Sequence, residues 1–220
     1  MASNVTLLDL RTQAKQRADM TNSAFLTDPE WNTNINSAAA ELYDILVSVA
    51  EDYYTTSATI TTSGDTATLP SDFYKLVGID YTLGSQLTPM DPFVFRDRLL
   101  YQNMNQSILR YRLVGSSLKF LPTPPTQSMT LWYVPAFQKL VDDADTFNGV
   151  NGWEDFIVCD AAMKALMKEE SDVSAIMADK AGIEKRIRNM APNRDQGRAE
   201  AVTDVSNLNY LRNPYSYDIF

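Results

Sequence analysis

Residues 28–51 read DPEWNTNINSAAAELYDILVSVAE and follow Leu26-Thr27. Thr27 supplies an N-cap oxygen, and Pro29 sits in the first turn, where its missing N–H has no helical partner to lose. Asp28 and Glu30 bring negative charge to the positive end of the helix dipole. At about 100° per residue, Trp31, Ile35, Ala38, Leu42, Ile45, Leu46 and Val49 fall in one apolar stripe roughly 100° wide. Asn32, Asn36, Glu41, Asp44 and Ser48 lie outside it. The spacing predicts a helix that buries one face and keeps the other wet.

Three more helices are predicted around it. Residues 5–20 open with Thr6 and Asp9 in capping-box spacing, carry Leu7, Leu10, Ala14 and Ala18 on one stripe, and place Lys15 and Arg17 near the C-terminal end. Helix returns at Asn151, with Phe156, Cys159, Met163 and Leu166 on one face, Met167 beside them and Asp160 and Lys164 as an i,i+4 pair in the favourable order. Residues 173–191 form the last helix, with Ile176, Ile183, Ile187 and Met190 inward and Pro192 ending it. Gly182 inside it costs about 1 kcal/mol relative to Ala, and so marks a bend or a close contact.

Between these helices the pattern changes. From Tyr53 to Pro135 the chain alternates β-branched and aromatic residues with turn signals. Ala58 to Thr62 reads as a strand, Ser63-Gly64-Asp65 as a turn and Thr66 to Leu69 as the returning strand. Tyr74 to Tyr81 is a further strand interrupted by Gly78, and Asp91 to Tyr101 reads as a short helix with Pro92 in its first turn. Arg110 to Leu113 and Leu118 to Leu121 flank Gly115-Ser116-Ser117 as a hairpin. Met129 to Val134 is apolar on both faces and is expected to be covered on both. The expected fold class is α+β. Residues 1–52 and 151–191 form a discontinuous antiparallel helical bundle, 53–150 an inserted β-rich domain, and 192–220 an extended C-terminal arm.

Composition excludes several kinds of chemistry. The 220 residues carry no His and one Cys, Cys159, so His triads, His metal sites, cysteine zinc sites and internal disulfides are all ruled out. No cofactor is expected. Net charge is −9, which gives no overall drive toward a phosphate backbone. No run reaches the roughly 18–20 apolar residues of a membrane span, and no basic-then-apolar start suggests a signal peptide. The expected place of synthesis is the cytosol. Walker, GxGxxG, GxSxG and HExxH motifs are missing.

The remaining candidates for function are acidic, thiol, aromatic and basic. Glu51-Asp52, Asp142-Asp143-Asp145 and Glu169-Glu170-Asp172 are acidic clusters. The middle one lacks the Gly and Glu that complete a calcium loop and reads as a solvated loop. Cys159 lies on the inward stripe, without a His to activate it, and reads as a buried structural thiol. Trp31 and Trp153 open two helices as core anchors or as subunit-interface anchors. Lys185, Arg186, Arg188, Arg194 and Arg198 form a locally basic stretch, a solvated face or a dock for an acidic partner, with nucleic acid a weaker third reading in so acidic a chain.

Residues 192–220 show no helical or strand period and end in Leu208, Tyr210, Leu211, Tyr215, Tyr217, Ile219 and Phe220. Such a segment cannot offset its own ordering entropy, and its rings are typical contact anchors. Fully extended it reaches about 95 Å at ~3.3 Å per residue. A partner protein is its expected target; the alternative is an arm that folds back onto its own core.

This order of parts resembles the head-to-tail adaptor proteins of tailed bacteriophages. The likeness is carried by Leu26-Thr27-Asp28-Pro29-Glu30-Trp31 with Ile35-Asn36, Glu41-Leu42-Tyr43, and Leu69-Pro70-Ser71-Asp72-Phe73-Tyr74. It continues through Tyr111-Arg112-Leu113-Val114-Gly115 with Leu118, Leu131-Trp132-Tyr133-Val134-Pro135, and Ala161-Ala162 to Lys168-Glu169-Glu170. The resemblance implies a virion protein, made in host cytoplasm, that forms a twelve-subunit ring under the portal. It implies that C-terminal arms grip the portal, helices make the ring wall and the β insertion faces the next tail component. The portal-binding residues it points to are Arg186, Arg188, Arg194, Arg198, Leu208, Tyr210, Leu211, Tyr215, Tyr217, Ile219 and Phe220. DNA would be passing cargo: twelve copies at −9 each carry about −108, which repels DNA from an acid-lined bore. Competing readings are a glycan-binding or cell-wall-hydrolysing module, with Tyr101, Tyr111, Trp132 or Tyr133 as a sugar platform, and a tail-tube protein without portal contact.

Overall fold

A computed structural model describes residues 4–102, 108–148 and 152–192. In chain order these begin with β1 (Asn4–Thr6), α1 (Leu7–Arg17), α2 (Asp28–Val49) and the short α3 (Glu51–Tyr54). Strands β2 (Thr56–Thr61), β3 (Thr66–Thr68), β4 (Phe73–Leu83), β5 (Gln86–Pro89) and β6 (Asp91–Pro92) follow, then a 3₁₀ turn (Phe95–Asp97) and α4 (Arg98–Gln102). The rest is β7 (Arg110–Val114), β8 (Ser117–Leu121), β9 (Ser128–Pro135), β10 (Thr146–Asn148), α5 (Glu154–Lys168) and α6 (Ser174–Met190). The class is α+β.

Both predicted capping signals form. Thr6 Oγ1 accepts from the Asp9 N–H at 3.1 Å, and Asp9 Oδ2 accepts from the Thr6 hydroxyl at 2.7 Å. The Thr27 N–H donates to Glu30 Oε2 at 2.9 Å. Of the α2 stripe, Trp31, Ile35, Ala38, Leu42 and Leu46 are buried, whereas Ile45 and Val49 are only partly covered and Ala39 and Val47 are buried instead. The predicted wet side of α2 also has structural work. Asn36 clamps the Leu140 backbone in both directions, accepting from its N–H at 2.8 Å and donating to its carbonyl at 2.9 Å.

The centre of the helical core is α5, which α1, α2 and α6 all touch. Phe156 to Ala162 and Ala165 are buried, so this helix is covered nearly all round rather than along one stripe. Ala161, Ala162 and Ala165 offer small side chains to the approaching neighbours. The Asp160–Lys164 pair forms at 2.6 Å, but Asp160 is fully buried, not a surface residue. Lys180 of α6 reaches its other oxygen at 2.5 Å, and Glu41 of α2 meets Lys164 at 3.0 Å and Lys180 at 3.1 Å. Lys180 also lies 4.7 Å over the Phe156 ring.

The β strands form two four-stranded sheets, in the orders β2-β9-β4-β5 and β3-β8-β7-β6, and β1 pairs with β10. The β7–β8 hairpin is as predicted, turning at Gly115 with φ 60°. The segments 58–62 and 66–69 do not pair as strand and return: a single bridge, Ser63 to Thr66, joins them. Instead β2 pairs with β9 and β3 with β8, so the Gly64 turn passes the chain from one sheet to the other. The register of β4 on β9 shifts between Leu76 and Gly78, where the predicted strand is interrupted.

Asp91 and Pro92 do not start a helix. They pair in parallel with β7, and Phe93 behind them is buried and donates to the Tyr111 carbonyl at 2.9 Å. Burying that ring outweighs the helix-start signal of Pro92. On β9, Met129, Leu131 and Tyr133 are buried; on its other face Val134 is covered but Trp132 stays 38% exposed, donating to Asp80 at 2.7 Å. The expectation of two covered faces holds for only part of the strand.

Two clusters of buried side chains result. One joins α1, α2, α5 and α6 with Leu140 and Phe147; the other lies between the two four-stranded sheets and centres on Leu118, Phe120, Leu131 and Ile79.

Two predictions follow from the helical core. A Cβ at Gly182 would meet nothing within 4 Å, so Gly182 marks no close contact. Gly182→Ala should therefore stabilise the protein by about 0.5–1 kcal/mol, read as a raised melting temperature. Asp160→Ala leaves Lys164 and Lys180 without their buried partner and should cost about 3 kcal/mol in urea unfolding. The exposed Lys168–Glu30 pair is the control: Lys168→Ala should move the urea midpoint far less than Asp160→Ala.

Candidate functional site

Two of the predicted portal-binding residues lie on α6. Arg186 donates to the Gly152 carbonyl at 3.0 Å and so ties the end of α6 to the start of α5. Arg188 pairs with Glu184 one turn earlier at 2.8 Å. Both guanidinium groups thus have partners within the chain, while Lys185 beside them is exposed. Arg194, Arg198, Leu208, Tyr210, Leu211, Tyr215, Tyr217, Ile219 and Phe220 lie outside the described residues.

The chain leaves α6 at Ala191 beside an open cleft of about 270 Å³, lined by Leu46, Ala50, Asp52, Tyr53, Tyr54 and Trp153. Here the ends of α2 and α6 meet α3 and the residue preceding α5. Trp153 is buried at this junction and Trp31 is buried in the same core, which supports the core-anchor reading for both.

An aromatic series, not anticipated from the sequence, runs outward from the cleft. Tyr53 meets Tyr54 edge-on at 5.1 Å, Tyr54 meets Tyr43 at 5.3 Å, Tyr43 meets Phe137 at 6.0 Å and Phe137 meets Phe147 at 6.4 Å. It seams the helices to the β strands. Tyr43 donates to the Pro135 carbonyl at 2.7 Å, Tyr74 donates to Asp44 at 2.8 Å, and Lys75 pairs with Glu51. Burial first, then the nearby Tyr74 and Asp44, pushes the Tyr43 phenol above its ordinary value, so it remains a donor. Asp44 and Glu51, both surface-type positions by pattern, are therefore joint residues.

The acidic clusters resolve into structural parts. Asp143 receives both terminal nitrogens of the buried Arg11, at 2.9 and 3.0 Å, and Arg11 also donates to Asn32 at 3.1 Å. Asp145 accepts from the Val141 and Asp142 N–H groups at 2.6 and 2.9 Å. The carbonyls of Asp145 and Asp143 accept from the first two N–H groups of α1 at 2.9 and 3.2 Å. The loop is exposed, as expected of a solvated loop, but it also caps a helix. Among the described residues no group of three acids or thiols is placed to hold a metal ion. Cys159 is buried, and burial above all pushes its thiol up.

The four rings offered as a sugar platform do not share a surface. Tyr111 and Tyr133 are buried between the sheets, and Tyr133 stacks on Phe73 at 5.9 Å. Tyr101 packs at 6.4 Å on Phe93 and under Arg110, leaving only Trp132 exposed.

The family model described as SU10 adaptor protein matches residues 5–207, and the chain belongs to that family, one of phage head–tail adaptors. No curated protein matches it. The family is a structural one, in keeping with acids that serve as caps and ties.

These ties set the pH dependence. The Lys168 hydrogen bond, then those from Thr27, hold Glu30 down to about 2. Asp28 is lowered first by its hydrogen bond to Lys15, Asp172 by the Ser174 N–H and hydroxyl, and Asp145 by the Val141 and Asp142 N–H groups. The unfolded chain takes up these protons first as pH falls, so the stability they supply is complete above about pH 5 and is lost downward through about pH 2. With no His, the urea midpoint should be flat between about pH 5.5 and 8 and fall below about pH 4.5. A step near pH 6.5 would contradict this.

Proposed function

We propose that this adaptor docks as a ring beneath the phage portal, completes the filled head and forms part of the DNA passage to the tail. The family match over residues 5–207 carries this reading, because it extends past α6 into the trailing segment. In this reading residues 1–52 and 151–191 act as a helical bundle that makes the ring wall. Residues 53–150 form the inserted unit that faces the next tail component. Residues 192–220 are the arm that grips the portal, using Arg194, Arg198, Leu208, Tyr210, Leu211, Tyr215, Tyr217, Ile219 and Phe220, with Arg186 and Arg188 of α6 completing the portal-binding set at its base. The ring has twelve copies and sits at the head–tail junction of the virion.

The geometry supports a division of labour between core and arm. The buried Asp160 of the helical core finds two cations, Lys164 and Lys180, within the chain. Arg186 and Arg188 already serve the fold, so their part in docking is to orient the base of the arm, and the arm beyond Pro192 supplies the grip. An acidic bore would let DNA slide rather than stick.

The test is a chain ending at Pro192, mixed with purified portal and followed by sedimentation or negative-stain imaging. The expected outcome is a folded protein that no longer binds portal, while the full chain forms a ring on it. Full-strength portal binding by the shortened chain would refute the arm assignment.

A further inference from the structure

Among the exposed large apolar side chains, two groups stand beside charge of opposite sign. The first is the excursion that runs from β6 through α4, where Val94, Phe95, Leu99 and Leu100 are exposed, Leu100 to 71%. Four arginines, Arg96, Arg98, Arg110 and Arg112, stand there against two aspartates, Asp91 and Asp97, within a chain of net charge −9. The Arg96 side chain is 88% exposed, and the Arg98 guanidinium lies 4.9 Å over the Phe95 ring. Basic and apolar groups thus form one block.

The second is the corner between α5 and α6. Met167 and Met177 are exposed there, with Glu169, Glu170 and Asp172 exposed between them. Lys168, the only cation in residues 167–177, is turned to Glu30 at 2.6 Å. The corner is left apolar and acidic. Methionine suits such a surface because it can repack around a partner.

We propose that these two surfaces are the two sides of one contact between copies of this chain: the basic, apolar excursion of one copy seats on the acidic, methionine-bearing corner of the next. Neither surface suits itself, since pairing it with its own kind would oppose like charges. The contact is therefore heterologous, so each copy keeps one free surface of each kind and the association propagates until it closes as a ring. The proposal rests on the adaptor reading for the ring, and adds which surfaces build it.

The test uses thiol cross-linking, for which the chain is suited because its one native cysteine, Cys159, is buried. Leu99→Cys, Met167→Cys and the double variant are treated with a short bis-maleimide, both as concentrated purified protein and bound to portal. The expected result on portal is a ladder of covalent multimers from the double variant and no multimer from either single variant. A second arm reverses charge. Glu169→Lys with Glu170→Lys should weaken self-association roughly tenfold or more, and adding Arg96→Glu with Arg98→Glu should restore it. All these positions are exposed, and circular dichroism confirms folding.

Dimers from Leu99→Cys alone would mean a self-paired surface and would overturn the proposal. A cross-link from Leu99→Cys to the portal or to a tail protein would do the same. A double variant that binds portal normally but yields no ladder overturns this contact and leaves the adaptor reading standing. Failure of the unmodified chain to bind portal would instead refute that reading, and the ladder in concentrated protein would then decide the contact by itself.

Discussion

A single carboxylate with almost no access to water organises the helical core. Asp160 on α5 receives Lys164 from its own helix and Lys180 from α6, and both ammonium groups reach on to Glu41 of α2. Burial works against a charged Lys180, yet the hydrogen bonds and charges of Asp160 and Glu41 together raise it above the ordinary lysine value. Such a cluster adds little net stability compared with a well-packed apolar one. Its value is positional. An apolar face tolerates sliding, whereas two lysines that must each meet two carboxylates fix the rotation and height of α6 against α5 and α2 together.

That fixed helical frame is tied to the β strands along the C-terminal half of α2 and the short α3. Tyr43, Asp44 and Glu51 bond to Pro135, Tyr74 and Lys75, and the Tyr54–Tyr43–Phe137–Phe147 series packs beside them. The loop before β10 supplies a second tie, because it caps α1 with its carbonyls and holds Arg11 with Asp143. The first tie mixes rings, hydrogen bonds and charges and the second hydrogen bonds and charges, so that relative rotation of the two cores would break several at once.

What the sequence made legible was local. The box at Thr6 could be read because cap and acid lie three residues apart, the start of α2 because Thr27 precedes Pro29 and two acids, and the β7–β8 hairpin because its strands flank a short Gly turn. Partners set by distant contacts could not be read. Thr56–Thr61 has the alternation of a strand, but nothing in it names β9 rather than β3 as its neighbour. Asp160 has the spacing of a surface pair with Lys164; its burial arises only when Lys180, on the next helix, arrives to complete the site. Asn36 looked solvated because its partner is the backbone of Leu140, which no side-chain pattern reveals. For the site, Arg186 and Arg188 stood out by charge, but their links to Gly152 and Glu184 depend on how α6 lies. The remaining predicted contacts lie beyond the described residues.

The charge pattern of the whole chain bears on how copies would come together. At −9 each, subunits repel at long range. At physiological salt that repulsion is screened beyond about 8 Å, so it slows encounter without deciding what happens in contact. Within that distance only local charge counts, and there the basic excursion at 94–98 faces a neighbour's acidic corner at 169–172 in the proposed arrangement. A chain built this way resists assembly when dilute and assembles when a template brings copies within reach. The portal would supply that template in the proposed ring, with the arm binding first and the short-range pairing of excursion and corner following from the proximity it creates.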